Sequence, residues 1–255
     1  MGRIDVPEAQ LRRGNVPGPV ECLGGAACSG AGVGSLSLDV QPVGPSDNVA
    51  SMALLSASES EPFLVLCQHW LEKAVIGLNL CPFAQAVHSR GQIRWVVSDA
   101  TTEEALLADL RNELLGLQAT DPNQTDTTLL VHPSVLQDFA DYNAFLDPAE
   151  ALLTELELDG EIQLASFHPA YQFAGTEPDD ITNCTNRSPF PMLHLLREAS
   201  LARGLQSVTD PESIFEANLK TMRGLGHEGW ARLGVQAAPP APAPGCPVHR
   251  PPPGT

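Results

Sequence analysis

Three apolar runs separated by helical stretches predict an α/β domain, three-layer-like, with a small, mostly parallel sheet. The runs are QIRWVVS (92–98), DTTLLVH (126–132) and EIQLASFH (161–168). Each is short, apolar at its centre and bounded by turn-forming residues. The helical patterns between them give the order strand–helix–strand–helix–strand, which calls for parallel strands joined by crossovers. About six helices accompany the three strands. A fourth, antiparallel strand over AYQFA (170–174) would instead leave a thioredoxin-like or ferredoxin-like α+β sandwich open.

The elements follow in order along the chain. Phe63, Leu66, Cys67, Trp70, Leu71, Ala74, Val75 and Leu78 recur at helical spacing, and the helix should stop near Gly77, ahead of Pro82. After the first strand, Thr101 and Glu104 form a capping box that opens a helix buried through Leu107, Leu110, Leu114 and Leu117. Ser134 with Gln137 caps the next helix, which carries Leu136, Phe139 and Tyr142; Asp147-Pro148 starts a further short one. Asp159-Gly160 is a turn into the third strand. Ser188-Pro189 starts a helix over MLHLLREASLAR that stops at Gly204, with Met192, Leu195, Leu196 and Ala199 inward. Asp210-Pro211 opens the last helix, buried through Phe215, Leu219, Met222 and Leu225.

The single α/β domain should span residues 59–234. Residues 1–58 are rich in Gly, Pro, Val and Ser without sustained periodicity, and are expected to be a disordered arm or an extension upstream of a true start at Met52. Residues 235–255 form an Ala/Pro-rich tail, expected to be extended, that carries Cys246 and His249.

The chain of 255 residues has a formal net charge of −17. Such a charge repels phosphate backbones and anionic headgroups, which argues against nucleic-acid and membrane-surface partners. The apolar runs are too short to span a bilayer, and no secretory signal is evident. Six cysteines without a CxxC pair or framework spacing point to reduced thiols and a cytoplasmic setting.

The second and third strands end in His132-Pro133 and His168-Pro169. If both strands run in one direction, the two histidines share the carboxyl edge of the sheet, where open α/β sheets bind ligands. Ser98 and Asp99 end the first strand at the same edge. Each histidine alone is more often a partly buried turn residue. Two on one edge, followed by the polar stretch DDITNCTNRSPFPMLHLL (179–196), define a candidate site. Asn183, Asn186, Arg187 and the Ser188 helix start can hold a phosphate or carboxylate, the Arg supplying a planar charged fork. The competing expectation is an Arg187 ion pair to Asp179 or Asp180 that only pins the loop. His194 falls one turn into the expected helix, near the loop, while Arg197 and Glu198 fall on a solvated face. Cys81 lies in a turn before Pro82 and is the one thiol candidate for a nucleophile, although a buried inert thiol is the commoner state.

The segments WLEKAVIGLNLCPFA (70–84), WVVSDAT (95–101), DTTLLVHP (126–133), FADYNAFLD (139–147), FHPAYQFAGTEPDDITNCTNRSPFPMLHLLREAS (167–200) and GHEGWARL (226–233) resemble the bacterial domain-of-unknown-function family 1415. The resemblance covers nearly all of 61–234. It implies no activity and no catalytic residues, but it implies a start near the domain and so supports Met52.

Three functions remain open on chemistry alone. The first is a small-molecule enzyme, a hydrolase or group-transfer catalyst. In it His168 is base, Asp180 orients it, Cys81 and His132 are further catalytic candidates, and Asn183, Asn186, Arg187, Ser188 and His194 bind an anionic substrate. The second is a non-catalytic metabolite- or partner-binding domain whose acidic face selects a basic partner. The third is a metal- or redox-responsive protein, with His168, His194 and Cys81 as candidate ligands for a divalent metal. No P-loop, Rossmann fingerprint, GxSxG or HExxH occurs.

Overall fold

The computed structural model describes residues 56–206 and 212–236. Residues 1–55 with the Met52 start, residues 237–255 with Cys246 and His249, and the Asp210-Pro211 helix start lie outside the described residues; at the expected domain borders, the first helix already begins at Ala57 and Val235 is buried in the core.

The chain begins with α1 (Ala57–Trp70), which continues into a π-helical segment (Leu71–Ile76) that ends at Gly77. Then come α2 (Ala84–Ser89), β1 (Ile93–Val97), α3 (Glu103–Ala119), β2 (Thr127–Val131), α4 (Phe139–Glu155) and β3 (Ile162–Phe167). A 3-10 turn (Ile181–Thr185) precedes β4 (Met192–Arg197), α5 (Glu198–Leu205) and α6 (Glu212–Arg232). α6 is two helices meeting at Gly226, whose φ of 64° is readily available only without a Cβ.

The sheet order is β1-β2-β4-β3. β1 and β2 are parallel, whereas β4 is antiparallel to both β2 and β3. β1, β2 and β3 therefore point one way, with β4 inserted against them. The sheet is thus mixed rather than mostly parallel. The reason is MLHLL. The sheet is covered by helices on both faces, so this inner strand carries an almost unbroken apolar run, and such a run cannot be told from a buried helix by periodicity. Met192, Leu193 and Leu195 are fully buried. Only the second half of the expected helix, α5, is helical, and AYQFA is loop.

Helices cover both faces of the sheet. On one, Leu106, Leu110, Leu114 and Leu117 of α3 and Tyr142, Phe145, Ala149 and Leu153 of α4 pack on Val96, Leu130, Leu193 and Leu195. On the other, Cys67, Trp70 and Ala74 pack with Met222 and Trp230 of α6 on Val97, Leu129, Val131 and Met192. Burial of each large side chain contributes about 1.5–3 kcal/mol.

Local signals are displaced in three places. The α3 cap is Thr102, which accepts from Ala105 N–H. The α4 cap is Asp138, which accepts from Ala140 and Asp141 N–H. Pro148 starts no new helix: it lies inside α4, and its exposed position lets water reach the carbonyl of the turn before it. Arg197 is not solvated. It donates to the carbonyls of Leu117, Thr120 and Thr125 and ties the ends of α3 and β2 to β4.

Candidate functional site

Because β1, β2 and β3 run one way, His132 and His168 do lie at one edge of the sheet, the carboxyl edge. Both are buried, His132 at 0 % and His168 at 1 % exposure. Tyr142 of α4 lies between them, 5.8 Å from the His132 ring and 5.0 Å from the His168 ring, centroid to centroid. Phe139 closes the cluster against His168 and Tyr171. The Tyr142 hydroxyl donates to Met192 O and accepts from Phe167 N–H, which fastens α4 to the ends of β3 and β4.

The hydrogen bonds set the tautomers. His168 Nδ1 accepts from Ala170 N–H at 3.0 Å, so Nε2 carries the proton and donates to Leu136 O at 3.2 Å. His132 Nδ1 donates to Val135 O at 3.2 Å. Its Nε2 is then a bare lone pair, and it has no hydrogen-bond partner among the described residues. Burial pushes both imidazoles down to about 4, so both are neutral near pH 7.

The two histidines hold adjacent carbonyls of the β2–α4 loop. That loop is strained: Leu136 has a φ of 56°, in the left-handed region, at a cost of about 1–2 kcal/mol for a residue with a Cβ. Gln137 Nε2 adds bonds to Pro133 O and Val135 O. The braced loop forms one wall of a shallow groove of about 580 Å³. Val135, Leu136, Gln137, Asp138 and Asp141 line this side, and Thr101, Thr102, Glu103 and Glu104 line the α3 side. Four carboxylates and no Lys or Arg face the groove.

The polar loop is satisfied from within. Asn183, at 0 % exposure, accepts from Phe173 N–H and Thr176 Oγ1 and donates to Glu177 O. Asn186 donates to Ser166 O. Ser188 donates to Phe190 O and caps no helix. Arg187 forms no ion pair to Asp179 or Asp180 among the described residues. Its fork donates to Tyr171 O at 3.1 Å and Pro178 O at 2.6 Å. Asp180 caps the 3-10 turn through Thr182, whose backbone and hydroxyl donors lower its pKa, helped by Arg223 and His227 of α6. These residues therefore hold one another and the loop, and the groove is not built from them.

His194 is on β4, not on a helix. Its Nε2 donates to Thr127 Oγ1 at 2.7 Å, because the Thr127 proton goes to Leu195 O. It packs near Phe167, and burial pushes it down to about 4. By strand alternation it shares the Met192 face, away from the face that α3 and α4 cover. Cys81 packs in that same opposite layer, and burial raises its thiol pKa, against which the backbone N–H groups of Phe83 and Ala84 work. Cys81 and His168 thus sit in different layers of the fold. Among the described residues no group of three or more His, Cys, Asp or Glu is placed to hold a metal ion. Ser98, at the end of β1, donates to the buried Asp109 at 2.5 Å and accepts from Ala100 N–H, so it too is structural.

The sequence reasoning missed the groove residues Thr102, Gln137, Asp138 and Asp141. Thr102 and Asp138 are good cap residues at the two strand-to-helix turns, and that was the available signal.

Fold and site define an α/β protein with a four-stranded mixed sheet and a groove over the carboxyl ends of its parallel pair. Residues 64–232 match the model of a protein family of unknown function, DUF1415, and the chain belongs to that family. No functionally curated protein and no solved structure matches it.

Proposed function

We propose that this chain is a non-catalytic recognition domain that takes a positively charged, hydrogen-bond-donating group in the carboxyl-edge groove. The observation that supports this reading is the groove wall. Two neutral, buried imidazoles spend their N–H groups on Val135 O and Leu136 O, and so hold a strained loop in place. That is the work of positioning residues. The four groove carboxylates supply acceptors and negative potential, which suit an amine or guanidinium better than the anionic ligand expected from Arg187. No helix among the described residues is long and apolar enough to cross a membrane. A cytoplasmic setting fits the free thiols Cys67, Cys81 and Cys184.

The test is a titration of ¹⁵N-labelled full-length protein with arginine, spermidine and inorganic phosphate. The cations should move the amides of Thr101, Thr102, Gln137, Asp138 and Asp141, and phosphate should not. Phosphate shifts at Asn183–Ser188 would refute it. A second reading is the small-molecule hydrolase or transferase, favoured by the bare Nε2 lone pair of His132. It requires turnover that His132→Gln abolishes without unfolding the protein.

A further inference from the structure

The carboxyl-edge groove does not end at the edge. A second groove of about 380 Å³ shares Glu104 with it and runs on between α3 and α4, lined by Leu107, Ala108, Arg111, Pro148, Leu152 and Glu155 among others. On α3, Glu104, Ala108, Arg111 and Leu115 follow at intervals of three to four residues and so form one stripe. On α4, Pro148, Leu152 and Glu155 do the same, and Asp141 lies two turns before Pro148 on that side. Leu115 continues the α3 stripe at 43 % exposure, one of two large apolar side chains left this open among the described residues. From Glu104 to Leu115 the stripe is about 16 Å long, room for roughly three helical turns of a partner.

The chemistry along this valley is one-sided. Its floor is apolar. Its margins carry Glu103, Glu104, Asp138, Asp141 and Glu155, and the single cation, Arg111, is already spent on Glu155 at 2.7 Å. A chain of net charge −17 adds a long-range field of the same sign.

We propose that the valley between α3 and α4 is a docking surface for a basic amphipathic segment of a partner protein. Its apolar side lies on Leu107, Leu152 and Leu115, and its Lys or Arg side chains reach Glu104, Glu155 and the groove carboxylates. This rests on the reading of the carboxyl-edge groove as a recognition site: the groove takes one cationic side chain, and the valley takes the rest of the segment.

The experiment maps amide shifts of ¹⁵N-labelled full-length protein with three probes: an amphipathic Leu/Arg peptide, the same peptide with every Leu replaced by Ser, and free arginine. The Leu/Arg peptide should shift Leu107–Leu115 and Ala149–Glu155 together with the groove amides. In Glu104→Lys/Glu155→Lys, whose spectrum otherwise stays that of the folded protein, its Kd should rise at least about tenfold, with rising salt acting in the same direction. Equal binding of the Ser/Arg peptide would overturn the proposal, since charge alone would then suffice. Groove shifts with arginine but an unmoved valley with the Leu/Arg peptide would overturn the docking surface and leave the groove standing. No shift with any probe would overturn both.

Discussion

Acid should unfold this protein through its buried histidines before its carboxylates titrate. His132 and His168 are neutral, buried and held near 4 in the folded chain, against 6.5 for an unburied histidine. The unfolded chain therefore binds protons that the folded chain refuses. The stability due to this is fully present above pH 6.5, falls as the pH drops toward 4, and levels off below that. Between about pH 7 and pH 5 each such group removes roughly 2 kcal/mol, so the pair removes about 4 kcal/mol. That is a large share of the ~5–15 kcal/mol of a typical domain. His194, held near 4 as well, acts in the same direction. The assay is urea unfolding at about pH 7, 6 and 5, followed by fluorescence of Trp70, Trp95 and Trp230. His168→Gln offers Leu136 O a donor that does not titrate, so its pH slope should be shallower by roughly one group. A wild-type loss below about 1 kcal/mol over this range, or an unchanged slope in the variant, would refute the reasoning.

Other outcomes follow from the same contacts. Tyr142→Phe removes the hydroxyl that joins Met192 O and Phe167 N–H, and should cost about 1–3 kcal/mol in urea unfolding. Asn183→Ala breaks three bonds of a fully buried amide and should cost more than Asp180→Ala, which removes a cap on a short turn and should cost about 1 kcal/mol. Arg187→Ala should speed amide exchange across residues 171–180, because Tyr171 O and Pro178 O lose their donor. Peptide-level mass spectrometry after brief treatment of native protein with iodoacetamide at neutral pH should find Cys67 and Cys184 unmodified, since both are buried and burial raises both thiols, Cys67 to about 12.

The fold was legible where residue pattern and environment agree. β1, β2 and β3 announce themselves because helical stretches and turn residues bracket each one. β4 hid behind two signals that usually mean a helix: Ser188-Pro189 before it and a dense apolar run within it. The run is apolar because β4 is covered on both faces, which is a property of the assembled sheet and not of the segment. The placement of His132 and His168 at one edge survived the change from a mostly parallel to a mixed sheet, since β4 reverses direction twice over and leaves β3 aligned with β2. The internal hydrogen bonds of the polar loop were hidden for a different reason. Asn and Arg can satisfy buried backbone groups as well as they bind anions, and composition does not tell which carbonyls lie within reach. The groove carboxylates looked like ordinary first-turn helix residues. Only the β2–α4 turn, with Leu136 forced to positive φ, places them opposite the start of α3.

The central claim is that the two edge histidines brace the groove wall as neutral hydrogen-bond donors. Long-range ¹⁵N–¹H spectra of the histidine side chains, recorded near neutral pH, test it directly. His168 should be neutral with its proton on Nε2, and His132 neutral with its proton on Nδ1, in line with their bonds to Leu136 O and Val135 O. An imidazolium at either position, or His168 carrying its proton on Nδ1, would contradict the account.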